Sequence, residues 1–146
     1  MRISILSLAA LAAVVAAPLG AQAQGQGGAP VAPYAGGKPM TTEEALKQAP
    51  KVDASLAPLE KKFNAAAAGL KKNPKDAKVK KTYVDAAYNY GHTAMMHGQQ
   101  SPKVMYRASL ALFRKALAVD PKHKPSLDDK NTIESIYKSM GMPIPK

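Results

Sequence analysis

Cysteine is absent from all 146 residues. Disulfides, thiol nucleophiles and thiolate metal sites are thereby excluded, and stability has to come from packing. Acids are few, ten Asp and Glu against 21 Lys and Arg. They are scattered, and no two stand out as an acid–base couple. No convincing strand pattern is present, so no Gly-rich phosphate loop can follow one. Ser, His and Asp occur without diagnostic spacing. These absences predict a chain that is not an enzyme and needs no cofactor. Long apolar runs are also missing. The longest, Ile3 to Ala17, has 15 residues, short of the roughly 20 that span a bilayer.

That run has the pattern of a secretory signal peptide. Arg2 precedes it, Pro18 and Gly20 break it, and Ala21-Gln22-Ala23 is a small-x-small cleavage site. The expectation is a bacterial chain exported to the periplasm or secreted, with residues 1–23 removed and a mature start at Gln24. An uncleaved anchor is the alternative. No cysteine follows the run, so no lipid attachment point is offered. After cleavage the chain carries 20 Lys and Arg against 10 acids, and 18 of the cations are lysine. Base reading relies on arginine forks, so no nucleic acid is expected. Solubility, or attraction to anionic envelope polymers, accounts for the charge.

Residues 24–52 begin as a Gly/Pro/Gln-rich linker. Thr41 and Thr42 followed by Glu43-Glu44 predict a short helix over 41–48, ahead of Pro50. Helical periodicity then runs over 53–141. Leu56, Leu59, Phe63, Ala66, Ala67 and Leu70 form the stripe of a helix ending near Lys72. Val79, Tyr83, Ala86, Ala87, Tyr90 and Ala94 mark a second over 76–97, stopped by Gly98. Tyr106, Leu110, Phe113 and Leu117 mark a third over 102–119. A fourth opens near Ser126, with Asp128 and Asp129 in its first turn and Ile133, Ile136, Tyr137 and Met140 on its apolar face. Gly141 is placed to cap it, Pro143 prevents continuation, and 142–146 are a tail. The stops Asn73-Pro74-Lys75-Asp76 and Asp120-Pro121-Lys122-His123 share one pattern 47 residues apart. A repeated stop predicts a repeated unit. The predicted fold is all-α, built of antiparallel helix hairpins.

The stretch 87–98 joined to 107–121 resembles the tetratricopeptide repeat family. Tyr90, Gly91 and Gly98 match the family's helix A, and Ser109, Phe113, Ala116 and Pro121 match its helix B. The family's early tryptophan is matched only by Ala87 and its late tyrosine by Ala94. The spacing is also longer than the family's, through extra residues toward Asp76 and around Gln99 to Met105. The resemblance implies about one full repeat between two half repeats. It also implies a groove, lined by helix 76–97, that binds another protein or peptide. By register from Gly91 the groove residues are Asp85, Tyr88, His92, Met95 and Met96. Outer faces left without neighbours imply self-association, or docking of segment 41–50.

Two other chemistries are written in the chain. His92, Met95, Met96 and His97 pair imidazole with thioether, a set suited to Cu(I), with His92 and Met96 one turn apart. Methionines at helical spacing are more often core fillers, so no metal is assigned. His123, in a turn beside lysines, is given no role. Lys71, Lys72, Lys75, Lys78, Lys80 and Lys81 crowd one helix–helix turn and offer a polyanion or envelope-surface site. Solvated lysines at a corner are the plainer reading.

Overall fold

The computed structural model describes residues 39–98 and 101–146. The predicted signal peptide, most of the predicted linker and Gln99–Gln100 of the predicted long turn lie outside them. The described residues contain no strand and are all-α. In chain order they form α1 (Thr42–Val52), a 3-10 turn (Ala54–Leu56), α2 (Ala57–Lys72), α3 (Ala77–Met96), α4 (Pro102–Val119) and α5 (Lys124–Ser139). None of these helices is long and apolar enough to cross a membrane.

The two similar stops are one structure used twice. Asn73 caps α2 and Asp120 caps α4, both at φ −130°. Their N–H groups donate to Gly69 O at 3.0 Å and Ala116 O at 2.9 Å. Three residues later Asp76 and His123 cap the next helices, donating back to Asn73 O at 3.3 Å and Asp120 O at 3.1 Å. The intervening prolines cannot continue a helix. Asp76 takes the N–H groups of Lys78 and Val79 on its carboxylate. His123 does the same work with Nδ1, which accepts from Ser126 N–H. The histidine that the sequence left without a role therefore caps α5, which begins at Lys124, two residues before the predicted Ser126. Each turn folds consecutive helices onto each other, α2 against α3 and α4 against α5.

Segment 41–52 differs most from its expected form. It is not a short helix in a linker but a full element that packs on α4. Thr41 and Glu44 form a reciprocal capping box, which satisfies two otherwise orphaned N–H groups. The helix continues through Pro50, which falls in its last turn and forgoes the bond to the Leu46 carbonyl. Ala45 and Ala49 are fully buried, and Glu43 pairs with Lys115 of α4 at 2.8 Å. At the start of α1, Thr42 donates from both N–H and Oγ1 to the main-chain oxygen of Lys146, at 3.1 and 3.0 Å.

With α1 on one side and α3 and α5 on others, α4 is central. Its predicted stripe supplies only two of the ten residues it buries. Leu110 and Phe113 meet Ile133 and Tyr137 of α5, while Tyr106 and Leu117 stay half-buried. A second face, Val104, Met105, Ala108, Leu112 and Ala116, joins Ala45, Ala49, Leu56, Phe63 and the buried side of α3. Gly91 lies where α3 and α4 nearly touch, and a Cβ there would fall 2.7 Å from Phe113 Cε1 and 3.1 Å from Leu112 Cβ. Gly98 fits as tightly against the Tyr106 ring. Ser109 is buried and returns its hydroxyl to Met105 O. The Tyr90 hydroxyl is buried without a protein partner, and burial raises its pKa, with the Glu60 charge adding to the effect.

The end of α5 matches the predicted cap. Gly141, at φ 66°, donates to Lys138 O, and Met142 donates to Tyr137 O, which is the Schellman arrangement. Met140 is not on the buried face as expected. It is the cap residue itself and is 54% exposed. Beyond Gly141 the tail turns back, with Met142 and Ile144 packed against the α4–α5 cluster and Pro145 buried.

Candidate functional site

The face of α3 that carries Tyr88, His92 and Met95 is largely engaged inside the protein. Tyr88 is half-buried, with its ring centroid 6.1 Å from that of Phe113, 5.5 Å from His92 and 5.4 Å from His123. Burial, and then the charge of Asp129, raises its phenol pKa. His92 Nδ1 lies 2.7 Å from Asp129 Oδ2 and so ties α3 to α5. Met95 packs on the same cluster as the tail residues Met142 and Ile144. Asp85 pairs along its own helix with Lys81 at 2.6 Å. Met96 alone of the five predicted groove residues is exposed, at 64%.

The histidines and methionines adjacent in sequence are separated by their partners. His92 reaches forward to α5. His97 reaches back to Asp53, the residue that caps the 3-10 turn. Hydrogen bonding from Ser55, then from His97, holds the Asp53 carboxyl at about 2, below its ordinary 3.8. Among the described residues no three His, Asp or Glu side chains gather as a metal site would require.

The open apolar surface lies on the other side of α3. Between α2 and α3 runs a trough of about 650 Å³. From α2 it takes Leu59, Lys62, Ala65, Ala66 and Gly69, and from α3 Lys78, Val79, Thr82, Ala86 and Asn89. Both sets step by three and four, so each is one helix stripe. Leu59, Ala66, Val79 and Ala86 are half-buried rather than buried. All four were assigned to apolar stripes from periodicity, which finds an apolar face but not what covers it. The trough stays open because α2 is an edge helix. It has 16 residues, packs on α3 and the 3-10 turn, and fully buries only Phe63. Small side chains make the channel, since a larger residue at Ala66 or Ala86 would fill it. Thr82 donates its hydroxyl to Lys78 O, so it asks for no further partner.

Of the lysines of the predicted basic corner Lys78 lines this trough, and all six, from the end of α2 to the start of α3, are exposed. Residues 61–81 hold eight lysines and one acid, Asp76, and that acid is occupied at the α3 cap. An apolar channel and a cationic margin therefore coincide on the α2–α3 hairpin. No family model matches the chain, and no curated protein or solved structure matches it either.

Proposed function

We propose that this chain is an exported, non-enzymatic helical module of tetratricopeptide-repeat type that binds another protein. In this reading α3 and α4 are the two helices of one repeat, α2 is the second helix of the repeat before it, and α5 the first of the next. The recurring stop geometry and the close approach at Gly91 support that reading. The contact surface is the outer trough between α2 and α3. The inner face carrying Tyr88, His92 and Met95 is left out of this surface, since α5 and the tail pack against it. The observation that carries the proposal is an apolar channel, about 650 Å³ in volume, on a helix pair whose outer side has no neighbouring element among the described residues. Exposed apolar grooves of helix width are common docking sites for partner helices. The basic corner belongs to the same surface, so polyanion attraction and apolar docking describe one site here.

A photo-crosslinking side chain at position 66, in the exported protein, tests the proposal. Defined protein adducts are expected there. None is expected with the same probe at Asn131, on the exposed side of α5. Equal labelling at both positions, or none at 66, overturns it.

A further inference from the structure

We propose that the occupant of the α2–α3 trough is an amphipathic α-helix of a partner protein, with small apolar residues on one face and acidic residues along its flanks. This rests on the docking function proposed above and adds the chemistry of the partner. Leu59 to Gly69 is eleven residues of α2, ten steps and so a floor about 15 Å long at 1.5 Å per residue. That length matches about three turns of a bound helix. The floor of Leu59, Ala66, Val79 and Ala86 has no unsatisfied polar side chain on it that would select an extended strand. Small residues on both walls let a helix backbone come close, as Gly91 does inside the fold.

Charge decides which helix. Lys62 and Lys78 line the trough itself. Around them the 61–81 segment carries eight lysines against one acid, and the Asp76 carboxylate accepts from two backbone N–H groups. The next acid, Asp85, already pairs with Lys81. The only other acid in the hairpin is Glu60, in the first turn of α2, so the margin keeps a net positive charge. A second copy of this chain presenting the same face would bring two such lysine sets together, and like charges at an interface oppose association. An acidic helix removes that repulsion and supplies attraction at contact range, within the roughly 8 Å screening length of physiological salt. A flat anionic bilayer meets the lysines equally well, but it does not reach a floor recessed between two helices.

The test uses fluorescence anisotropy with a lactam-bridged helical peptide of about 15 residues, long enough to cover the floor yet too short to be helical unaided. One version has Ala and Leu on one face and Glu on the flanks, and another replaces every Glu by Lys. The protein is residues 24–146, with thermal melting as the folding control. The acidic version is expected to bind and to weaken as salt is raised. Combined Lys62→Glu and Lys78→Glu should weaken it about tenfold, the scale of losing two rim ion pairs and adding repulsion. Ala66→Arg should abolish binding by filling the channel. If that variant fails to fold, Ala86→Arg fills it from the opposite wall. Equal affinity for the acidic and basic versions, both lost in Ala66→Arg, overturns the charge assignment and leaves the docking function standing. Binding that survives both arginine variants overturns the trough as the site. Binding of phosphatidylglycerol vesicles with neither helix bound overturns both proposals in favour of a lipid surface.

Discussion

Gly91→Ala adds one methyl group to the protein and sets two large effects against each other. Alanine is the better helix former, by about 1 kcal/mol in a helix interior. On an open surface the variant would therefore gain stability. In α3 the new Cβ would stand 2.7 Å from Phe113 Cε1 and 3.1 Å from Leu112 Cβ, inside the optimal carbon–carbon separation of about 3.5–4.0 Å. Phe113 is fully buried. The Leu112 Cβ sits on the backbone and moves only if α4 moves. Relief thus requires α3 and α4 to separate along their shared face, and overpacking of this kind costs about 1–3 kcal/mol. Subtracting the propensity gain leaves a net loss of about 1 kcal/mol, a fall in Tm on the order of 5 °C. Urea and thermal denaturation of residues 24–146 measure it. Phe113→Leu removes the ring that clashes, so Gly91→Ala should cost less in that background. A coupling of about 1 kcal/mol is expected across the double-mutant cycle. A Gly91→Ala protein about 1 kcal/mol more stable than the parent would mean propensity acts alone, and the close α3–α4 approach would be refuted.

Tyr90→Phe deletes a buried hydroxyl that has no protein partner, so melting should show unchanged or higher stability, by up to about 1 kcal/mol; a clear loss would reveal a bonded hydroxyl. Asp53 titrates at about 2 in the folded protein against 3.8 ordinarily, a depressed value, so its contribution is full above pH 4 and disappears as pH falls through 2. Asp53→Asn keeps a capping side chain but not the charge, and its stability deficit in urea melts should shrink between pH 4 and pH 2; a deficit constant over that window would contradict the assignment. Tyr88→Ala removes a half-buried ring set among Phe113, His92 and His123 and should destabilise by about 2 kcal/mol. If it melts like the parent instead, that face is free for a partner after all.

Much of the helical frame was legible because it is written locally. The stop Asn73-Pro74 and its counterpart Asp120-Pro121 combine a cap, a proline and a new cap within four residues, and the structure builds both the same way. Gly141 likewise declares its cap through position alone. Segment 41–52 was harder to read, because its buried face consists of Thr42, Ala45 and Ala49, residues too small or polar to register as a stripe, and Pro50 suggested an end. Missing α1 then hid the second buried face of α4, although Val104, Met105, Ala108 and Leu112 recur there at helical spacing. The partners of the histidines were not legible for another reason. His92 finds Asp129 and His97 finds Asp53 at separations of 37 and 44 residues, and no periodicity within a helix encodes such partners. The candidate site was half visible. Its lysines stood out as a run, whereas Ala66, Val79 and Ala86 look the same in sequence whether a neighbour covers them or not.

The bond between Thr42 and Lys146 spans 104 residues, and this sets an order of events during folding. The pairs α2–α3 and α4–α5 join neighbours through turns of a few residues and can form early, since short loops close quickly. The seat of α1 is on α4, so the first helix of the domain to be made must wait until residue 119 is available before it can dock. Its latch on the main chain of Lys146 closes later still. Until α1 docks, Ala45, Ala49 and the part of α4 that they cover are open to water and to other chains, and exposed apolar surface of that kind favours aggregation.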